Sequence, residues 1–290
     1  MKYRIVHRTQ YDYSQPVVLC HNEARLQPRP TAMQTCRRSD VTVEPAPAER
    51  AERDDFFGNR VLYFAVQAAH DQLSVTAISE VEVLPATPVD GDSPPWDGVH
   101  GLLVGATDAE TRLARHLALD STCAAASPAA AAYAAPSFPT GRPLLDAVRD
   151  LNRRIHAEFR FDPESTTVAT PVSEVLAQRH GVCQDFAHLA IACLRSLGMP
   201  ARYVSGYLET VAPPGKPRLH GADASHAWFA VYVPGAGWVD FDPTNDCLPA
   251  ERHVTTAWGR DYADVTPIKG VIFGGGAHTL EVSVDMVRIE

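Results

Sequence analysis

The stretch His180-Gly181-Val182-Cys183-Gln184-Asp185-Phe186-Ala187-His188 constrains this chain more than any other. From Phe186 the apolar residues fall at Phe186, Leu189, Ala190, Cys193, Leu194 and Leu197, the stripe of an amphipathic helix. Gly198-Met199-Pro200 closes it, with Gly just past the last apolar position and Pro two residues on. Gly181 gives the chain room to turn in from the segment before. The spacing therefore predicts a buried helix with Cys183 on its first turn. Unpaired N–H groups and a partial positive charge there favour a thiolate. Asp185, in the same turn, opposes that field.

A thiolate so placed becomes a nucleophile once a base and a group to orient that base are at hand. Ser225-His226-Ala227-Trp228-Phe229-Ala230-Val231-Tyr232-Val233 and Gly237-Trp238-Val239-Asp240-Phe241-Asp242-Pro243-Thr244-Asn245 read as strands from their β-branched and aromatic content. The turn Pro234-Gly235-Ala236-Gly237 joins them as a hairpin with a four-residue loop, pairing Val233 near Trp238. His226 and Asp242 then share the end away from the turn, although His226 lies further out. Asp240 is a second candidate acid. Cys183, His226 and Asp242 are thus candidates for nucleophile, base and orienting acid. Each also has a plain structural reading: an inert thiol, a core histidine, and a turn former before Pro243. His180, Cys183 and His188 fit no standard zinc spacing.

The three stretches, G-V-C-x-D-x-A, S-H-A-W and W-x-x-x-D-P-T, resemble the signature of the transglutaminase-like superfamily over Leu144 to Asn245. The flanks are similar to its bacterial branch: Met1 to Val83 through Asp55-Phe56-Phe57-Gly58-Asn59, and the tail Gly259 to Pro267. The resemblance implies Cys183 as nucleophile, His226 as base and Asp242, which stands just before Pro, as orienter. It also implies that Arg260, Asp261 and Tyr262 line the cleft, with a structural salt link as the equal alternative. The backbone N–H of Cys183 is the natural first oxyanion donor. Gln178, just upstream, is a candidate for the second. Phe159 and Phe161 occupy the region of the family's aromatic donor and carry no donor atom. Trp228 and Trp238 read as core or groove walls.

Residues 1–84 alternate with a period of two and hold no good helix. The expected fold class is α+β. An N-terminal antiparallel β-sandwich-like module (1–84) precedes a papain/transglutaminase-like core (101–290), whose nucleophile helix packs on an antiparallel sheet and which ends in a C-terminal β extension. Pro85, Pro88, Gly91, Pro94, Pro95 and Gly98 mark 85–100 as a linker. Thr107-Asp108-Ala109-Glu110 reads as a capping box starting a helix through about Ala118. Cys123 to Pro136 reads as a helix fragment or loop, Pro143 opens a helix, and Thr170-Pro171 starts a short one. The loop with Pro213, Pro214, Gly215 and Pro217 is long enough to rim the site.

The net charge of −9 offers no basic field for nucleic acid or an anionic membrane. No apolar run approaches a membrane span, and Met1 to Arg8 has no leader-like apolar segment, so a cytoplasmic location is expected. The six cysteines form no C-x-x-C pair, and no calcium loop occurs, so neither a disulfide framework nor a metal or other cofactor is expected. The expected function is thiol-dependent acyl transfer or hydrolysis on amide bonds of a peptide or protein. A cysteine protease or amidase using the same triad is the alternative, and a non-catalytic peptide-binding module the second. The oligomeric state is open.

Overall fold

The computed structural model describes residues 1–85, 93–210 and 224–289. Pro88 and Gly91 of the expected linker, and the Pro213–Pro217 rim, lie outside them.

Five strands open the chain: β1 (Lys2–Ala24), β2 (Gln34–Glu44), β3 (Glu49–Asp54), β4 (Arg60–Val66) and β5 (His70–Val83). They form an antiparallel sheet in the order β2-β5-β1-β4-β3. The first half of β1 pairs with β5, and its second half with β4. Alternating apolar residues from both halves, among them Val17, Phe64, Leu73 and Val75, share one buried cluster, as a sandwich-like module requires.

Helices follow: α1 (Val99–Gly105), α2 (Ala109–His116), α3 (Pro128–Ala134) and α4 (Leu144–Glu158). Asp108, not Thr107, caps α2, accepting from the Thr111 N–H at 2.8 Å. Part of the expected linker is bound structure. The Ser93 hydroxyl accepts the Leu145 N–H, and the Pro94 carbonyl accepts that of Leu144, so this stretch caps α4.

Next come β6 (Arg160–Phe161), α5 (Val172–Gln178), β7 (His180–Gly181) and α6 (Cys183–Ser196). Every residue of α6 from Gln184 to Arg195 is buried. It packs on β8 (Ala201–Leu208) and β9 (Ala224–Val233), with α3, α4 and α5 on its other sides. Being enclosed all round, it buries Arg195 as well. That guanidinium donates to the carbonyls of Leu117, Ala124, Ala201 and Arg260 and to the Ser121 hydroxyl, tying four segments to one helix. Together with β10 (Gly237–Phe241) and β11 (His253–Gly259), β8 and β9 form an antiparallel sheet in the order β10-β9-β8-β11. The β9–β10 hairpin closes one residue tighter than expected. Gly237 pairs with Val233, leaving Pro234–Ala236 as the loop. Positive φ at Gly235 and Gly237 permits the tighter turn.

After α7 (Tyr262–Val265), the strands β12 (Ile268–Gly274) and β13 (His278–Ile289) do not extend the core sheet, where the sequence put the C-terminal β extension. Both pair antiparallel with β1: β13 along Lys2–Tyr13 and β12 along Val17–Ala24. Alternating apolar residues cannot say which distant edge they will meet.

The two sheets share a buried apolar cluster of Tyr3, Ile5, Tyr207, Val254 and Met286 among others. Two side-chain amides finish the joint. Gln34 donates to the Thr255 carbonyl and accepts the Thr255 N–H, both at 2.8 Å. Asn59 does the same to Trp258, at 2.9 and 3.0 Å. Each amide imitates a neighbouring strand along β11, which is otherwise the sheet's edge. Among the described residues no helix is long and apolar enough to cross a membrane.

Candidate active site

Cys183 begins α6, and its thiol is partly buried. The turn before it is held by Asp185, whose Oδ2 accepts the Val182 N–H at 2.8 Å and the Thr166 hydroxyl at 2.7 Å. A Cβ at position 181 would stand 2.7 Å from that same oxygen, so only glycine lets the loop close. Burial raises the Asp185 carboxyl, while these donors pull it back.

His226 lies on β9 opposite Gly206 of β8, and Phe241 pairs with Phe229. Continuing that register sets Asp242 opposite Trp228, which makes His226 its diagonal neighbour on the same face. The diagonal closes as a hydrogen bond: His226 Nε2–H donates to Asp242 Oδ2 at 2.8 Å. The Cys183 thiol is near enough to the imidazole to stabilise its protonated form; with Nε2 given to Asp242, Nδ1 is the nitrogen left to exchange a proton with it. The structure thus gathers the three residues that the sequence singled out.

Asp242 is fully buried and surrounded by donors. Its Oδ2 takes N–H groups from His226, from His253 Nε2 at 3.1 Å and from the Asn245 amide at 2.7 Å. Its Oδ1 takes the backbone N–H groups of Thr244 and Asn245. Burial alone would raise the carboxyl; the hydrogen bonds of His226 and His253 overcome it and hold the group far below the usual carboxylate range. Burial likewise disfavours a charged His226. The hydrogen bonds and charges of Asp242 and Cys183 reverse this and push the imidazole up to about 10.

His253 and Asn245 were not found from the sequence. His253 stands on β11 with no motif around it, and Asn245 ends the W-x-x-x-D-P-T stretch, where the turn rather than the residue drew attention. The ring atoms of His226 and His253 and the Asp242 carboxylate lie within 4.8 Å of one another, a spacing that three metal ligands could share. Each ring already donates to the carboxylate, so the set is satisfied as hydrogen bonds.

The other expected site residues fall elsewhere. Gln178 is exposed at the end of α5, and its amide donates to Glu174, one turn back. Trp228 is fully buried behind the site, its ring 6.0 Å from His226 and 5.3 Å from His253, with Nε1–H donated to Asp240. That bond gives Asp240 a partner of its own, while Asp242 is the carboxylate hydrogen-bonded to the imidazole. Asp261 is buried, caps α7 and accepts the Cys123 N–H at 2.7 Å. The Tyr262 N–H donates to His188 Nε2, and its ring packs edge-on to Tyr203. Tyr203 is buried against His188. Burial first, and the nearby Cys183 sulfur second, keep its phenol protonated.

A sulfur at the head of a buried helix, beside an imidazole that a sheet supplies and a carboxylate holds, is the arrangement of thiol enzymes. The chain belongs to the transglutaminase-like superfamily: that family's model matches residues 132–243, and the bacterial transglutaminase-like N-terminal region matches residues 3–82. Uncharacterized protein Rv2569c of Mycobacterium tuberculosis is 42% identical over 298 residues, spanning 100% of this chain and 93% of that protein. A protein-glutamine gamma-glutamyltransferase of Pseudomonas aeruginosa is 31% identical over 129 residues, 38% of this chain and 19% of that one. Among solved structures, a Cytophaga hutchinsonii protein described as a "putative cysteine protease" matches with a TM-score of 0.68 at 22% identity, covering 100% of this chain and 92% of that one, a likeness of fold.

Proposed function

We propose that the protein is a thiol-dependent acyl-transfer enzyme acting on amide carbonyls of a peptide or protein. Cys183, as a thiolate paired with protonated His226, attacks the carbonyl carbon. His226 then gives its proton to the departing nitrogen, which leaves as ammonia or an amine, and a thioester remains on sulfur. A second amine or water resolves the thioester. Asp242 fixes the imidazole by accepting from Nε2, so that Nδ1 exchanges the proton. The N–H of Cys183 lies in the first turn of α6, beyond the reach of intrahelical acceptors, and serves the developing oxyanion.

The observation that carries this reading is the buried His226–Asp242 bond with the Cys183 thiol beside the same ring. Nothing in ordinary packing calls for a thiol, an imidazole and a five-donor carboxylate in line. The similarity to a protein-glutamine gamma-glutamyltransferase supports glutamine side chains as the acyl donors to try first. The test follows ammonia release from glutamine-containing peptides, with and without a primary amine, in the wild type and Cys183→Ala. Release that needs Cys183, with amine incorporated, is the expected result. Peptide-bond cleavage would instead select a protease. Ammonia release unchanged in Cys183→Ala would overturn the reading.

A further inference from the structure

On the face of the catalytic sheet turned away from α6 lies a cavity of about 1200 Å3, bounded by α2 and by turns of the first sheet. Register builds its floor. Arg202 and Asp240 both pair with Ala230, so the three side chains stand in a row on that face. The middle one is a methyl group, fully buried in a cluster with Trp228, Trp238 and Trp258, while the outer two line the cavity. Trp228, Trp238 and Trp258 form the walls.

Arg202 is 8% exposed, and its guanidinium is stacked between Trp238 at 4.4 Å and Trp258 at 3.8 Å. Stacking engages the faces of the guanidinium and leaves its edge donors free. Its Nε is buried without a hydrogen-bond partner, and no hydrogen bond or ion pair engages the group among the described residues. Asp240 and Glu110 act on it only through charge, and Asp240 spends Oδ2 on the Trp228 N–H. A buried arginine normally has its donors satisfied. This one presents them beside aromatic walls, as a ligand site does.

We propose that the cavity binds a small organic monocarboxylate with an aromatic or apolar body, its carboxylate on the edge of Arg202 and its body against the tryptophans. The guanidinium fork matches a carboxylate. The indole walls supply apolar area. Asp240 and Glu110 would repel a multiply charged anion, which disfavours phosphate. By the same register His226 and Asp242 stand on this face too, but neither they nor Cys183 line the cavity, so the site adjoins the triad without including it. The lining also includes His253, which donates to Asp242, so an occupant borders the acid's hydrogen-bond set.

Three of the chain's four tryptophans line the cavity, so intrinsic fluorescence reads its occupancy. The full chain carrying Cys183→Ala is titrated with 3-phenylpropionate, with its neutral amide and with inorganic phosphate. The expected result is a saturable fluorescence change and a raised melting temperature with the carboxylate. The amide and phosphate should bind at least about tenfold more weakly. Arg202→Gln should weaken the carboxylate about tenfold. The amide comparison needs no variant, so it stands even where Arg202→Gln fails to fold. No saturable response to 3-phenylpropionate, equal binding of the amide or of phosphate, or full affinity in Arg202→Gln would overturn the proposal and leave Arg202 as a stacking spacer.

Discussion

At the scale of single residues, the imidazole decides the pH behaviour. Its pKa stands at about 10, above the ordinary 6.5, so the ring keeps its proton until the pH passes about 10. Thiol-dependent activity should therefore persist through mildly alkaline pH and fall as pH rises through about 10. A pH–rate profile measures this, and Asp242→Asn should draw the alkaline limb downward. That variant also loses the acceptor that fixes the tautomer, and its rate should fall by about 10³–10⁴. His253→Leu removes one donor to Asp242, so the rate should drop about 10–100-fold, the worth of one hydrogen bond to a charged group. His253→Gln, which retains an N–H, should recover part of it. Iodoacetamide labelling of Cys183 gives the same order without a substrate. The sequence disclosed Cys183, His226 and Asp242 because each sits in a short local pattern that prescribes its own geometry. His253 is brought in by β11, and Arg202 is set apart by what fails to meet it; neither fact has a local signature.

At the scale of elements, close approach of backbones sets the tolerances. A Cβ on Gly206 would lie 2.1 Å from the Val254 carbonyl and 2.6 Å from the Trp228 ring, both fully buried. Gly206→Ala must push β8 from β11 and shift Trp228, the ring behind His226. Both melting temperature and labelling rate should fall, whereas a purely structural fault would lower the first alone. The joint between sheets gives a second prediction. Asn59→Ala deprives Trp258 of an acceptor and a donor at once, and Gln34→Ala does so for Thr255. Each should cost about 2 kcal/mol in chemical denaturation. The helices α2 and α6 were readable from local pattern to within a few residues, whereas β3, α1, α7 and β12 left no periodic trace long enough to read. The partners of β12 and β13 were not readable, because alternation fixes a face and leaves the neighbour open.

For the whole molecule, buried neutral histidines on both sides of the joint predict how acid unfolds it. His7 of β1 bonds Tyr207 of β8 at 2.9 Å, and His188 of α6 accepts from Tyr262. Burial lowers both pKa values to about 4. Between about pH 6.5 and 4 the unfolded chain binds protons that the folded one refuses, so stability falls as pH is lowered through that window. Each histidine contributes up to roughly 3 kcal/mol. Denaturation midpoints from pH 7 to 4 should decline accordingly, and His188→Phe should flatten the slope. The amides of Gln34 and Asn59 carry a consequence for substrates too. With the outer flank of β11 already occupied by donors and acceptors from the first sheet, an incoming polypeptide cannot bind there by lengthening the ladder. Recognition near Cys183 must rest on side-chain contacts, on the short opposite flank at β10, or on the two-residue β6–β7 pair beside the thiol.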